Sequence, residues 1–327
     1  MLLLTGAAGF IGSNLLARLN AEGRTDVVIC DALGTEGKWR NLRAHEFADF
    51  VPIDALEAWL AHAPALDGVI HLGANSDTTA ADGDEVMRHN FAASLTLWRH
   101  CAATGTPFLY ASSAATYGNG DQGFEDRDDP AFLATLQPLN LYGWSKHVFD
   151  RRVARIVEAG EAAPPRWYGL KFFNVYGPNE YHKGHMRSAV HNITEAVRRG
   201  EPARLFASDR PDIRDGGQSR DFVWVDDICD VILWLLNGNP PSGLYNIGAG
   251  QARSFADLAR AVFSALGKPP EIEFFPMPEA LRGRYQYWTE ANLGKLRRAG
   301  YNAPMTGLED GVARYVQGFL TREDRYR

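Results

Sequence analysis

The chain has 327 residues, of which 45 % are hydrophobic and 23 % are charged, and its formal net charge is −6. This length and balance predict a folded globular protein, arranged as one large domain or as a large domain with a smaller lobe. The acidic balance excludes the basic footprint of a nucleic-acid-binding protein, and we see neither a membrane-spanning apolar run of 18 residues nor a secretory signal.

The three cysteines, Cys30, Cys101 and Cys229, are odd in number and far apart. This pattern favours neither a disulfide framework nor a metal site, so we expect no metal. Free thiols of this kind fit a reducing compartment, and we expect a cytoplasmic protein without nucleic-acid or membrane partners.

The first segment predicts a strand that turns sharply into a helix. Leu2–Leu4 precede Thr5–Gly12, which has the spacing G-x-x-G-x-x-G, and the amphipathic segment Ile11–Asn20 follows. Glycines let the backbone turn tightly and let a pyrophosphate approach the helix N-terminus, where free N–H groups favour anions. In this position the pattern predicts a Rossmann-type dinucleotide site.

The second predicted strand, Asp26–Asp31, ends in an acid about 20 residues past the glycines. A carboxylate at this point usually accepts hydrogen bonds from the adenosine ribose, which favours NAD. Lys38 and Arg40 follow closely and could neutralise a 2′-phosphate or simply be solvated, so NADP remains open.

Two further segments are expected beside the cofactor. Gly68–Ala74 is a buried-strand pattern that ends in small residues, as expected where a strand tip faces a cofactor. His71 in this strand is interpreted as a histidine fixed by hydrogen bonds rather than as a catalytic group. A helical segment over Asp84–Thr104 carries Asn90 within an otherwise apolar pattern.

A possible proton-transfer group comes from the next strand and helix. Pro107–Ser113 predicts a strand whose carboxyl end presents Ser113, and Leu141–Lys146 predicts the opening turns of a helix. Tyr142 and Lys146 are four residues apart, so they share one helix face. We expect the ammonium group to lower the tyrosine pKa and make the phenol a usable acid or base.

Together these motifs resemble the extended short-chain dehydrogenase/reductase family, whose members are mostly sugar-nucleotide epimerases, dehydratases and reductases. The resemblance covers almost the whole chain and is carried by Thr5–Gly12, Ser112–Gly118, Tyr142 with Lys146, Phe172–Pro178, Arg220–Asp227 and Tyr245–Gly248. It implies an α/β fold: a Rossmann-type doubly wound parallel sheet with a smaller, discontinuous α+β substrate lobe.

A narrower resemblance is to the ADP-L-glycero-D-manno-heptose 6-epimerase subfamily, which serves bacterial surface-polysaccharide precursor synthesis. It is carried by Phe108–Gly118, Pro138–Gly143, His182-Lys183-Gly184 with Met186, and Leu281–Gln286. The resemblance implies inversion at C6 of ADP-heptose through transient oxidation to a ketone. It also implies a tightly bound NADP, with NAD as the open alternative, and a homo-oligomer of five subunits.

The resemblance also implies a role for each matching residue. Tyr142 would remove the hydroxyl proton, Lys146 would hold the cofactor ribose and Ser113 would orient the hydroxyl. Lys183 would be a second acid or base on the opposite side, although a phosphate-neutralising role is the open alternative. Arg220 is suited to bidentate contact with phosphate.

The motifs and the resemblance give two sets of contact residues. The expected cofactor contacts are Gly6, Gly9, Phe10, Ile11, Gly12, Asp31, Lys38, Leu72, Gly73, Ala74, Asn90, Lys146 and Val175. The expected substrate contacts are Ser113, Asn174, Lys183, His185, Asn192, Phe206, Ser208, Arg220 and Tyr285.

Four features depart from the subfamily pattern. His185 stands where serine is usual, Leu72 replaces an acidic residue beside the cofactor, and Ile53 stands where a lysine assists cofactor binding. The stretch Asp209–Ser219 is longer than the subfamily's loop and is interpreted as a solvated insertion or as a specificity lid.

The alternation of strands and helices becomes irregular after Gly177, which predicts a second lobe. We expect a dinucleotide-binding domain over 1–173, which also receives about 220–250 and part of the last helices. The substrate lobe is expected over 174–219 and 251–290, and Asp221–Val225 is expected to rejoin the main sheet.

Two other functions remain open. Another sugar-nucleotide epimerase, such as a UDP-hexose 4-epimerase, would use the same triad. A 4,6-dehydratase is disfavoured because Ala114-Ala115 follow Ser113 where such enzymes usually place an acidic pair. A cofactor-binding regulator would commonly lack the tyrosine, whereas Tyr142 is present.

Overall fold

The central sheet of the protein has seven parallel strands. The computed structural model describes residues 1–279 and 286–327. The strands of this sheet are β1 (Leu2–Thr5), β2 (Val27–Asp31), β3 (Asp49–Pro52), β4 (Gly68–His71), β5 (Phe108–Ser113), β6 (Trp167–Phe172) and β10 (Gly243–Ile247). Their spatial order is β10–β6–β5–β4–β1–β2–β3, so the direction of strand addition reverses between β1 and β4. The predicted Rossmann-type doubly wound fold is confirmed.

Two small sheets lie outside the central one. They are built from β7 (Asn174–Tyr176), β8 (Ala203–Phe206), β9 (Ser219–Trp224), β11 (Ala252–Ser254) and β12 (Ile272–Phe275). Strand β9 runs parallel to β7 and antiparallel to β11, and β8 runs parallel to β12. The prediction that Asp221–Val225 rejoins the central sheet is therefore wrong, because β10 takes the place beside β6.

Eleven α-helices are present in the described part of the chain. They are α1 (Phe10–Ala21), α2 (Leu56–Leu60), α3 (Gly83–Met87), α4 (Ala93–Thr104), α5 (Pro130–Leu133), α6 (Leu141–Glu158), α7 (Ala189–Arg198), α8 (Val225–Asn237), α9 (Phe255–Ala265), α10 (Gly294–Arg298) and α11 (Leu308–Tyr315). A π-helical turn, Arg88–Ala92, joins α3 to α4, so the helical segment predicted over Asp84–Thr104 is continuous.

Helices cover both faces of the central sheet, because its strands are apolar on both sides. On one face α1 and α8 pack through residues such as Leu15 and Ile232. On the other face α4 and α6 pack through residues such as Trp98 and Phe149. A third buried cluster joins α7, α9 and α11 around β9, outside the central sheet. The domain boundaries at 173/174, 219/220 and 250/251 stay predictions.

Helix α6 begins where its sequence places an N-cap. The side-chain oxygen of Asn140 accepts a hydrogen bond from the backbone N–H of Gly143 at 2.8 Å, which satisfies one of the free donors of the first turn. This cap fixes Tyr142 and Lys146 in the first two turns of the helix. Across 1–279 and 286–327, we find no helix long and apolar enough to cross a bilayer.

Candidate active site

A cleft of about 890 Å³ opens at the carboxyl ends of the central strands. It lies where the strand order reverses between β1 and β4, which is where open α/β sheets bind ligands. One wall comes from the central sheet and α6, and the other comes from the segment 182–190. The cleft therefore brings the predicted dinucleotide site and the predicted proton-transfer residues together.

The glycines after β1 allow very close backbone packing at the floor of the cleft. Gly6 has a φ of 69°, and a Cβ atom on it would lie 2.6 Å from the backbone nitrogen of Gly73. A Cβ atom on Gly12 would collide with the carbonyl oxygen of Gly6. Both positions thus require glycine, and the first turn of α1 stays open to an anion.

Asp31, at the end of β2, is held in place by three donors. Its carboxylate accepts hydrogen bonds from the backbone N–H groups of Ala8 and Ala32, both at 2.7 Å. The ammonium group of Lys38 forms an ion pair with the same carboxylate. The Lys38 ammonium is thus engaged by Asp31, and Arg40 is exposed outside the cleft wall.

Ser113, Tyr142 and Lys146 meet in the cleft at the end of β5. The Ser113 side chain lies close enough to Tyr142 to influence the pKa of its phenol. The Lys146 ammonium donates to the carbonyl oxygen of Ala111 at 2.9 Å. Burial lowers the pKa of Lys146 to about 8, although the nearby carboxylate of Asp150 acts in the opposite direction.

The pKa of Tyr142 differs from the sequence-based expectation. Burial raises this pKa, the negative charge of Asp150 raises it further, and the interaction with Ser113 only partly offsets the rise. The expectation of a lowered pKa was wrong for the protein without ligands, because burial raises the pKa of Tyr142 by more than the interaction with Ser113 lowers it. Tyr142 accordingly keeps its proton in this state.

A buried ion pair lies directly behind this group. Asp150 accepts hydrogen bonds from the hydroxyls of Tyr110 and Ser112, at 3.0 Å and 2.7 Å. It also accepts one from the ammonium of Lys171 at 2.7 Å, and the side chains of both charged residues are completely buried. Sequence reasoning missed this pair, because Lys171 is on β6 and Asp150 is on α6.

His71 has the structural environment that the sequence suggested. Its ring nitrogens form hydrogen bonds with the hydroxyls of Thr5, at 2.7 Å, and Ser94, at 2.8 Å. Burial lowers its pKa to about 3, so the ring stays neutral at physiological pH. This arrangement ties β1, β4 and α4 together behind the cleft.

The facing wall carries Lys183 and His185. The Lys183 ammonium lies 5.4 Å from the centre of the Phe10 ring, and burial lowers its pKa. The exposed His185 ring lies 3.9 Å from the carboxylate of Asp77, which belongs to the loop after β4. Lys183 and His185 therefore reach the cleft from the side opposite to α6.

Comparison with known proteins identifies the family. The model of the NAD dependent epimerase/dehydratase family matches residues 2–248. The chain belongs to this family. A Fusobacterium nucleatum protein named ADP-L-glycero-D-manno-heptose-6-epimerase is 44 % identical to it over 100 % of both chains.

Two solved structures of epimerases share the fold. The Helicobacter pylori ADP-L-glycero-D-manno-heptose-6-epimerase has a TM-score of 0.79 and 26 % identity, over 97 % of this chain and 95 % of that one. The Thermus thermophilus UDP-glucose 4-epimerase, solved in complex with NAD, has a TM-score of 0.74 and 27 % identity, over 97 % of both chains. The chain is therefore an enzyme of this family with a nicotinamide cofactor site, and the glycine turn and Asp31 fit that cofactor.

Most of the predicted site residues line the cleft of this family member. They are Gly6, Gly9, Phe10, Ile11, Gly12, Asp31, Lys38, Leu72, Gly73, Ala74, Ser113, Tyr142, Lys146, Asn174, Val175, Lys183 and His185. Ile53, which departs from the subfamily pattern, lines it as well.

Five predicted residues that the structure describes do not line the cleft. They are Asn90, Asn192, Phe206, Ser208 and Arg220. The predicted substrate contact Tyr285 lies outside the described residues. Asn90 is buried and donates hydrogen bonds to the Asn75 carbonyl and to Ser145. It therefore supports the loop after β4, and a direct cofactor contact by Asn90 stays a prediction.

Arg220 on β9, Phe206 at the end of β8 and Ser208 just after β8 lie beyond the cleft. The guanidinium of Arg220 lies 5.9 Å from the ring centre of Phe255, which does line the cleft. Phe206 packs against Phe275 with ring centres 5.0 Å apart. Their contacts with the substrate nucleotide, and that of Asn192, stay predictions.

Sequence reasoning missed part of the cleft wall of this family member. The loop Asn75–Thr78 and His182 line the cleft. The polar run after β4 was a usable signal, because loops after parallel strands face the ligand edge of the sheet. His182 was named only as part of a motif, yet its ring lies 3.3 Å from the amide of Asn41 beside the dinucleotide site.

Proposed function

We infer that the chain inverts C6 of ADP-D-glycero-D-manno-heptose to give the L-glycero form. The observation that carries this inference is the presence of two proton-carrying groups on different walls of one cleft, Tyr142 on α6 and Lys183 on the facing segment. Inversion through a ketone needs an acid or base on each face of the reacting carbon. The full-length relative from Fusobacterium nucleatum supports the choice of substrate.

The proposed mechanism assigns one task to each side chain. Tyr142, as the phenolate, removes the proton of the substrate hydroxyl and becomes a neutral phenol, while Ser113 orients that hydroxyl. Lys146 stabilises the phenolate before this transfer. The bound nicotinamide supplies a reversible hydride acceptor. Lys183 holds a proton on the opposite face, so that the ketone can be reduced from that face. Because no net redox change occurs, the cofactor must stay bound through the cycle.

We propose that the cofactor is NAD rather than the NADP first expected. Asp31 is fixed at the end of β2, where a carboxylate usually binds the adenosine ribose and would repel a 2′-phosphate. Lys38, the cation that could have bound such a phosphate, is already paired with Asp31. The family description and the NAD complex of the Thermus thermophilus epimerase support this choice.

The bound cofactor can be identified after it is released from the purified protein with acid. We expect mass spectrometry to find NAD. The Asp31→Asn variant should shift the released mixture toward NADP, whereas Glu36→Gln, which removes a charge from an exposed neighbour, should not. Release of mainly NADP from the wild-type protein would contradict this assignment.

The activity itself is tested by NMR of the purified protein with ADP-D-glycero-D-manno-heptose and no added cofactor. We expect inversion at C6, and a loss of roughly 10²–10⁴-fold in rate for Tyr142→Phe. Tyr301→Phe removes the same atom at a buried site against Trp234, away from the cleft, and should keep full activity. Failure of the folded, cofactor-loaded protein to convert the heptose would overturn the proposal.

A UDP-hexose 4-epimerase is the second candidate, because the Thermus thermophilus enzyme of that name shares the fold over nearly the whole chain. Incubation with UDP-glucose in the same NMR assay separates the two candidates. Conversion of UDP-glucose without conversion of the heptose would establish the 4-epimerase.

We further propose a homo-oligomer of five subunits, as the subfamily resemblance implies. Leu139 and Trp144, at the start of α6, are exposed apolar side chains that could contribute to such an interface. Native mass spectrometry should then give five times the chain mass of 36.2 kDa. A mass of 36.2 kDa would show a monomer instead.

A further inference from the structure

Residues 324–327, which we call the clasp, lie against the chain just before Lys183. The hydroxyl of Tyr181 donates a hydrogen bond to the carbonyl oxygen of Arg325 at 2.6 Å. The Tyr181 ring packs edge-on against that of Tyr326, with ring centres 5.1 Å apart. The clasp thus contacts a residue two positions from the lysine on the cleft wall.

The clasp also holds Asn179, whose backbone is in an unusual conformation. Asn179 is completely buried and has a φ of 70°, a left-handed value that residues other than glycine seldom adopt. Its side-chain oxygen accepts a hydrogen bond from the backbone N–H of Arg327 at 3.0 Å. Its side-chain nitrogen donates to Ser13, and its carbonyl oxygen accepts from Asn41, both at 3.0 Å. A strained residue of this kind persists only when its surroundings determine it fully.

The clasp is itself anchored to the dinucleotide-binding part of the protein. The Arg327 guanidinium forms a two-pronged ion pair with Asp226, and it also donates to the side chain of Asn14 in α1 at 3.0 Å. Arg43 pairs with Asp324 and lies over the ring of Tyr326 in the clasp. Arg327 is largely buried in these contacts, so the clasp is packed rather than loosely laid on the surface.

We propose that the clasp positions Lys183, acting through Asn179 and Tyr181, so that its ammonium group reaches the face of the cleft opposite Tyr142. A lysine side chain has four rotatable bonds, so its backbone must be fixed if the ammonium is to be placed well. The clasp fixes the chain two and four residues before it. This inference rests on the proposed function only for the role of Lys183 in the reaction.

The first experiment measures the placement of Lys183 without using activity. The purified holoprotein is labelled with a trace of acetylating reagent, and the labelling of Lys183 is compared by mass spectrometry with that of Lys268, an exposed lysine. In the double variant Tyr326→Ala/Arg327→Ala we expect the relative labelling of Lys183 to rise roughly 10-fold, because local opening exposes it. Arg322→Ala is the matched control, since its guanidinium bonds to the Gln317 carbonyl in its own helical turn.

The second experiment measures epimerisation of the heptose. We expect the double clasp variant to lose roughly 10- to 100-fold in kcat with KM changed less than about twofold, because a small displacement of an acid or base is costly to rate. In the Lys183→Met background the same clasp substitutions should add no further loss. A merely structural role would lower the rate equally in both backgrounds.

Each outcome decides one point. Unchanged labelling of Lys183 and an unchanged kcat in the double variant would overturn the proposal that the clasp positions Lys183. If labelling of Lys183 increases in the double variant but the wild-type protein does not convert the heptose, the positioning role of the clasp is supported and the proposed function is rejected. If the double variant fails to fold, the milder Tyr181→Phe decides: it keeps the ring contact with Tyr326, and unchanged labelling of Lys183 would overturn the inference.

Discussion

Lys146 has a buried ammonium group, which the proposed reaction needs but which lowers the stability of the folded protein. Burial lowers its pKa from 10.5 to about 8. The proposed reaction needs the protonated form, which still predominates at neutral pH. The desolvated cation therefore opposes folding in the pH range where the enzyme is expected to work.

The linkage between this pKa and folding can be measured. Between pH 8 and 10.5 the folded protein releases the Lys146 proton while the unfolded chain still binds it, so the free energy of unfolding rises with pH. In Lys146→Met this contribution is absent. Urea titrations at pH 8 and at pH 10.5 should show that the free energy of unfolding rises by roughly 2–3 kcal/mol more in the wild type than in Lys146→Met.

The exposed lysine Lys268 supplies the control, because Lys268→Met should follow the wild type across the whole window. Parallel curves for the wild type and Lys146→Met would contradict the depressed pKa of Lys146.

At the scale of single residues, the sequence predicted which side chains meet in the cleft better than it predicted their pKa values. Ser113, Tyr142 and Lys146 could be found because strand ends and helix spacing bring them together. The pKa of Tyr142 could not be predicted, since it depends on burial and on Asp150, and neither is visible in the Y-x-x-x-K spacing. Arg220 was predicted as a substrate contact but does not line the cleft, since Phe255 lies between the two.

The two elements that carry the proton-transfer group, β5 and α6, are joined by the buried pair Lys171–Asp150. Besides Asp150, Lys171 donates to the hydroxyl of Thr116 at 2.7 Å, and that hydroxyl donates to the carbonyl oxygen of Ser113 at 2.8 Å. The pair therefore connects β5 and the turn after it with α6 and β6. Tyr142, on the same helix as Asp150, is held in its place relative to Ser113.

Breaking this pair should be strongly destabilising, whereas removing both charges should not. Lys171→Met leaves the buried carboxylate of Asp150 uncompensated and should lower the free energy of unfolding by about 3–5 kcal/mol. The double variant Asp150→Asn/Lys171→Met should recover most of this loss. Urea denaturation of the four members of the cycle measures the coupling.

The partly exposed pair Lys295–Asp128 provides the comparison. Lys295→Met should cost only about 1 kcal/mol, because water screens that pair. Equal decreases in the free energy of unfolding for Lys171→Met and Lys295→Met would show that burial does not make the Lys171–Asp150 pair more important for stability.

Strand pairing marks the limit of prediction for the elements. The start of α6 could be predicted from Asn140 and the helix pattern that follows. The partner of β9 could not be predicted, because a strand at 219–224 with an apolar second half fits the edge of the central sheet as well as it fits a small sheet beside β7. Only the position of β10, which takes that edge, distinguishes the two.

At the scale of the whole molecule, two segments face each other across the cleft: the loop after β4 and the facing wall. A bound cofactor should stabilise both segments. The loop after β4 meets the facing wall where Thr78 contacts the sulfur of Met186 at 3.6 Å and Asp77 faces His185. A ligand between these walls binds the folded protein alone and raises the free energy of local opening.

Hydrogen exchange followed by mass spectrometry checks this expectation. On adding NAD to protein freed of cofactor, we expect slower exchange in peptides covering 75–78 and 182–188, and unchanged exchange in α10, which does not line the cleft. Protection of 75–78 without protection of 182–188 would show that the facing wall does not respond to the cofactor.

The contact between Asn14 and Arg327 has a consequence for the order of folding. These residues are 313 positions apart in the chain, so the loop they close is among the most costly in entropy that this protein forms. Contacts of such high sequence separation are favoured only after local structure has formed. We therefore expect the nucleotide-binding strands to assemble first and the segment before Lys183 to become ordered last. A partly folded chain could then hold its cofactor before its second acid or base is in place.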